Sequence, residues 1–357
     1  MPITKPLMIV VVPARSPIDK YVAYKRVQLD RTEAFRLEVA FCDVNQPTPE
    51  LMARWRSMCT PGVEPYLVDV GDKKYHQLGS SAAEVELMSS ETRSGRTIKY
   101  LVGLINENNK TGNLKNRRYA IAKLLRDAYH VMKGGDDSQN VVFDHGMDVV
   151  NAYFMDHGRR AWDALFNPEY AELKQLWDGF NVSEKEVIDF TLPLYFRQLF
   201  TSGRSAEEII EKIDWWNDKA KRIAARRGAI QNTDYQIRPF KIQGRDAGLV
   251  HVMDYFEAEE VPYKLFGDKN LALSLLIIRD ECGNVHIKSS FRFPGINLDK
   301  LFEFLNQLEP GLWYFEKRFK AGPMIMNGSR QFTGVTSSAL SDGDLCQAAH
   351  SLVVFGK

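Results

Sequence analysis

The chain has 357 residues, 44% hydrophobic and 26% charged, enough for two or three domains of ~150 residues with sizeable cores of their own. Its 47 basic and 46 acidic residues leave a formal net charge of +1, which excludes a uniformly basic nucleic-acid coat and an acidic disordered tail. Four cysteines (Cys42, Cys59, Cys282, Cys346) stand far apart with no C-x-x-C, which excludes a zinc site of close thiolate pairs and fits a reducing, cytoplasmic setting without a disulfide framework.

Met8 to Val12 is rich in β-branched residues and closes at Pro13. It reads as a buried first strand rather than a signal peptide, and it is far shorter than the ~18 apolar residues of a membrane span. Helical spacing comes next over Asp19 to Val27, then a strand over Phe35 to Val44, a short helix over Pro49 to Met58 and a strand over Pro65 to Val70. Strands alternating with helix-length segments predict βαβ units and a parallel sheet. Three helices are expected over Ala82 to Met88, Thr97 to Asn106 and Leu114 to Met132, then a loop over Lys133 to Gln139. Val141 to Phe143 opens the next element.

From about Val149 to Gly228 the pattern is almost wholly helical. Ser183 with Glu186 and Ser205 with Glu208 form capping boxes. The second opens a helix with Ile209, Ile213, Trp216, Ala220 and Ile223 on one face, and Gly228 is expected to end it. Beyond Gln236 the composition turns strand-like. Leu249 to Tyr255 is one strand, and Leu273 to Ile278 with Val285 to Ser289 flank a glycine-bearing hairpin turn, Glu281 to Asn284. Leu298 to Leu308 is an amphipathic helix, Met324 to Met326 a short strand, and Ser341 with Asp344 caps a last helix. The expected fold class is α/β: an N-terminal parallel-sheet domain over 1–150, a helical connector over 151–232 and a smaller α+β domain over 233–357.

Carboxylates fall where such a sheet presents its chemistry. Asp69 ends the strand Pro65 to Val70, and acidic groups at the carboxyl ends of parallel strands sit where α/β sheets bind ligands. Asp19 comes after the first strand and belongs at the same edge. His76 lies seven residues beyond Asp69, and Asp144-His145-Gly146-Met147-Asp148 comes after the apolar Val141 to Phe143. Carboxylates and imidazole gathered from successive strand ends suit Mn²⁺ or a similar divalent ion, which polarises a phosphate and lowers the pKa of a bound water. Helix capping by Asp19, and an ordinary loop histidine at position 76, are the competing readings of the same residues.

The segments Leu67-Val68-Asp69-Val70-Gly71 and Tyr75-His76-Gln77 resemble a strand ending V-D-V-G followed by Y-D-H-H-Q. That pattern belongs to the DHH phosphoesterase superfamily, in particular its Myg-type exonuclease branch. Ser16-Pro17-Ile18-Asp19-Lys20-Tyr21 stands in place of an H-x4-H-x-D-E segment and keeps only its aspartate. Gly146-Met147-Asp148-Val149-Val150 is similar to a later aspartate motif. The C-terminal part resembles the same branch in Pro262-Tyr263-Lys264-Leu265, in the hairpin, and in the strand and glycine-rich loop from Met326 to Gly334. The likeness is patchy but ordered over nearly the whole chain.

The resemblance implies two Mn²⁺ ions sharing a bridging aspartate. Carried over by position, Asp19, Asp69, His76 and Asp148 hold one ion, with Asp144 the alternative to Asp148, and Asp69 and His76 are the catalytic pair. Val12 and Pro17 stand where the other ion needs ligands, so one Mn²⁺ is expected rather than two. Lys73 or Lys74 is a candidate to replace part of the missing positive charge. Arg318, Asn327, Gly328, Ser329 and Arg330, with Lys74, are candidate substrate-binding residues, since glycine turns can present amides to an anion. Basic clusters at Lys110 to Arg126 and at Lys219 to Arg227, and the aromatic run Trp313-Tyr314-Phe315, suit a phosphate backbone and its bases. Cations late in a helix equally serve its dipole, and three adjacent aromatics are more often half core and half surface.

The expected activity is a metal-dependent phosphodiesterase acting on single-stranded RNA or DNA, or on short oligonucleotides, in the manner of a 3′–5′ exonuclease. The alternative is a catalytically inactive DHH-like nucleic-acid-binding or scaffold protein. A small-molecule or cyclic-nucleotide binder is a third class. No membrane is expected as a partner, and the sequence admits a homodimer or a protein partner.

Overall fold

The structure, a computed structural model, describes residues 4–14, 18–44, 47–70, 125, 128, 129, 138–154, 204–293, 295–316, 322–327 and 336–356. The expected helices between Ala82 and Met132 lie outside these residues, apart from positions 125, 128 and 129. The Ser183/Glu186 cap lies outside them too. The chain is mixed α/β and divides into two units, Met1–Ile223 and Ala224–Lys357.

In the first unit, β1 (Leu7–Pro13), α1 (Ile18–Arg31), β2 (Arg36–Cys42), α2 (Pro49–Met58) and β3 (Tyr66–Leu67) succeed one another in order. The three strands form a parallel sheet in the order β2-β1-β3. β1 is central and covered on both faces, which is why its sequence is continuously apolar. Ile9 and Val11 pack with Trp55 of α2 and with Cys42 and Cys59. On the opposite face α1 meets α3 (Ser138–Phe154), where Phe143 stacks on Tyr21 and meets Tyr24 and Phe41 edge-on.

α3 corrects the reading of Val141 to Phe143 as the approach to a strand end. Its buried positions Val142, Phe143, Met147, Val149 and Val150 recur at helical spacing, and Asp144, His145 and Asp148 lie within the helix. Gly146 is the point of closest approach to α1: a Cβ there would stand 2.3 Å from the Tyr21 ring.

α4 (Ala206–Asn232) starts at the expected capping box, with the Glu208 amide donating to Ser205 Oγ and the Ser205 amide to the Glu208 carboxylate. Ile209, Ile213, Trp216 and Ile223 are buried as its pattern required. Gly228 does not end it. The helix runs four residues further because Ile230 is buried and Lys264 donates to the carbonyls of Ile230 and Thr233, capping the helix from a distant element.

The second unit contains the strands β4 (Ile237–Ile242), β5 (Arg245–Val252), β6 (Leu275–Asp280), β7 (Val285–Ser289), β8 (Ile296–Asn297), β9 (Trp313–Glu316), β10 (Met324–Asn327) and β11 (Val354–Phe355). Six of them form a mixed sheet in the order β4-β5-β6-β7-β10-β9. The short β8 pairs with β11 in a sheet of its own. β6 and β7 form the expected hairpin, with Gly283 at φ 83° in its turn. Between β5 and β6 runs α5 (Tyr255–Gly267). α6 (Asp299–Leu308) and α7 (Asp342–Leu352) cover one face through Leu301, Leu305, Leu345 and Ala349. Ser341 and Asp344 form the capping box of α7.

One element of this unit corrects the sequence reading. The strand expected to reach Tyr255 stops at Val252, because Asp254 caps α5 by accepting from the Glu257 amide. α5 carries Pro262 in its interior, which removes the donor for the Ala258 carbonyl. Lys288 of β7 supplies it, donating to Ala258 O at 3.1 Å. The aromatic run is strand β9, with Trp313 buried and Tyr314 exposed, as strand alternation requires.

Candidate carboxylate site

β1 and β3 are neighbours in the sheet, so the residues that leave the carboxyl end of each strand meet at one edge. Asp19 sits in the first turn of α1, one element after β1, where a carboxylate also complements the helix dipole. Asp69 lies just beyond β3 and takes a left-handed conformation, φ 53°, uncommon for a residue with a side chain and least so for aspartate and asparagine. The two carboxylates are brought together, as the sequence leads one to expect. Between them stands the ammonium of Lys20.

Lys20 Nζ donates to Asp19 Oδ2 at 2.9 Å and pairs with Asp69 Oδ2. Only 6% of Lys20 is exposed. Burial pulls its pKa down, but Asp19 and Asp69 together more than offset that, so it is held above the ordinary lysine range and stays charged. Sequence reasoning puts a compensating cation at Lys73 or Lys74, which lie outside the described residues, and misses Lys20. A lysine in the first turn of a helix ordinarily points into solvent, and only its burial separates this one from that reading.

The late aspartates are elsewhere. Asp148 is held by Arg204 at 3.1 Å and by Lys212, both partners arriving from α4 and the residues before it. Asp144 lies one turn earlier on α3, and partial desolvation, then the Asp148 charge, push its carboxyl pKa up. His145 lies flat on Trp215, with ring centroids 3.8 Å apart. Burial, and then the Lys212 charge, lower its pKa to about 4, so the ring is neutral at ordinary pH.

Among the described residues, no three His, Cys, Asp or Glu side chains come together to hold a metal ion. At the described positions the expected ligands already face cations of the chain itself. One aspartate pair already holds a cation of the chain, and Asp148 is neutralised by two more. His76 lies outside the described residues, as do Lys74, Arg318, Gly328, Ser329 and Arg330.

Of the candidate substrate-binding residues, Asn327 is described. It is fully buried, and its amide donates to the carbonyls of Leu312 and Thr336 at 3.3 Å each. Its side-chain nitrogen thus ties two backbone segments together, while its oxygen meets no donor among the described residues. Four of the five late cations of α4 are engaged as well, Lys219 and Arg222 with Asp218, Arg226 with Asp254, and Arg227 with Glu260, while Lys221 is exposed. Those pairs favour the structural reading of that cluster. All four cysteines are free thiols. Among the described residues no helix is long and apolar enough to cross a membrane.

No family model matches the sequence, and no curated protein matches it. A solved structure of an uncharacterized protein from Helicobacter pylori G27 is similar over 97% of this chain and 98% of its own, at 10% identity and a TM-score of 0.28. That likeness is too low to carry fold or function across.

Proposed function

We propose that this chain is a DHH-like protein that binds single-stranded RNA or DNA, or short oligonucleotides, without metal-dependent hydrolysis. In this reading it comprises a DHH-like N-terminal domain, a helical connector and a C-terminal substrate-binding domain, and works in the cytoplasm. The observation that carries the reading is the Lys20 ammonium between Asp19 and Asp69. Hydrolysis of a phosphodiester by this class of site needs a Lewis acid to generate hydroxide at neutral pH, and an ammonium does not supply one. Binding is supported by the sequence resemblance and by Tyr314, half-exposed on edge strand β9 beside the strand that leads into 328–330.

The second reading is a Mn²⁺-dependent 3′–5′ exonuclease. It is favoured by the meeting of Asp19 and Asp69 at the carboxyl ends of β1 and β3, with Asp69 in a conformation that functional sites hold at some cost. Labelled single-stranded RNA and DNA oligonucleotides, incubated with the protein in Mn²⁺ beside Asp69→Ala, separate the two. Retained oligonucleotide of full length, bound by the wild-type protein, is the expected result. Stepwise shortening by the wild type that disappears in Asp69→Ala overturns the proposal in favour of the exonuclease.

A further inference from the structure

We propose that Lys20 is the resident cation of the Asp19–Asp69 pair, and that removing its ammonium converts the pair into a divalent-metal site. The inference deepens the proposed function and rests on its reading of this pair as the cation-holding centre. Two carboxylates held side by side, with 7% and 14% of their side-chain surfaces exposed, repel one another and need a positive charge between them. Lys20 supplies it from the residue next to Asp19, so the cation is covalently part of the chain and its effective concentration does not depend on the medium.

For Mn²⁺ to enter, Nζ must leave both oxygens. Lys20 has no described acceptor other than Asp19 and Asp69 and is itself buried, so its ammonium would be stranded beside a doubly charged ion. Exclusion of metal is therefore a property of one side chain. The backbone that carries the pair is held by contacts independent of Lys20: α1 through the Tyr21 and Tyr129 hydroxyls at 2.6 Å, and the strand that leads to Asp69 through the pairing of Val10 and Val11 with Tyr66 and Leu67. The place vacated by the ammonium lies directly between the two carboxylate oxygens. The donors are two hard carboxylate oxygens, which suit Mn²⁺ or Mg²⁺ rather than a soft metal.

The test uses full-length protein, no nucleic acid, and Mn²⁺ as the probe. Its outcome is therefore independent of whether oligonucleotides bind or are cut. Mn²⁺ titrations followed by electron paramagnetic resonance, and thermal melts in EDTA and in Mn²⁺, are compared for wild type, Asp69→Asn, Lys20→Ala, Lys20→Gln and Lys20→Ala with Asp69→Asn. The wild type is expected to take up no Mn²⁺ at this pair and to melt at one temperature in both media. Both Lys20 variants should melt lower than wild type in EDTA, recover part of the loss in Mn²⁺, and bind the ion. Asp69→Asn, which keeps a residue tolerant of the left-handed backbone, should abolish that gain. Should Lys20→Ala not fold in EDTA, Lys20→Gln keeps a polar group of similar length and reports the same gain. Mn²⁺ binding by the wild type that Asp69→Asn removes overturns the proposal, as does a folded Lys20 variant that melts like wild type and gains no Mn²⁺.

Discussion

His145 and Gly146 are adjacent on α3 and respond to opposite physical terms. The His145 ring is neutral in the folded protein down to about pH 4, while in the unfolded chain it takes up a proton below about 6.5. Its contribution to stability is therefore complete above pH 6.5 and is lost as pH falls from there through 4. His145→Phe preserves the stack on Trp215 and should flatten that stretch of a melting-temperature profile taken from pH 7 to pH 4. At Gly146, helix propensity favours alanine by about 1 kcal/mol, but the new methyl meets a Tyr21 ring pinned by Tyr129 and Phe143. Overpacking of this kind costs ~1–3 kcal/mol, so Gly146→Ala should lower stability by a net of up to ~2 kcal/mol in urea unfolding. Gly228 gives the control: a Cβ there meets open space, and Gly228→Ala should stabilise by up to about 1 kcal/mol.

At the scale of elements, two helices persist where local rules end them, and a lysine explains each. Pro262 frees the Ala258 carbonyl inside α5, and Lys288 reaches across from β7 to satisfy it. Lys288→Met keeps the stem and removes the donor. Because Ala258 is fully buried, its carbonyl is then left short of a partner, a loss of roughly 1–3 kcal/mol expected in the urea midpoint. The second lysine, Lys264, closes α4 beyond Gly228. The elements that match their sequence pattern are those whose signals are local: continuous apolar character for β1, the Ser205 and Ser341 capping boxes, and Gly283 in its hairpin turn. α3 escapes the sequence reading because Val141-Val142-Phe143 is too short an apolar run to separate strand from helix by periodicity alone.

Across the whole molecule, the C-terminal unit carries its own six-stranded sheet, helices on that sheet and an apolar core, with the end of α4 tied to it through Arg226–Asp254 and Arg227–Glu260. Residues 224–357 expressed alone should therefore fold and unfold cooperatively, as followed by circular dichroism in urea; a fragment without a sigmoidal transition contradicts this. The α/β class, a parallel sheet and the placing of Asp19 and Asp69 at one edge of it are legible along the chain, because the succession of strands and helices and the residue after each strand are local facts. That β1 and β3 are neighbours, what stands between those carboxylates and what Asp148 faces are settled by packing instead. Burial of Lys20, and the approach of Arg204 and Lys212 to α3, depend on packing between segments distant in sequence, and a lysine's neighbours, unlike its charge, are not written in its position along the chain.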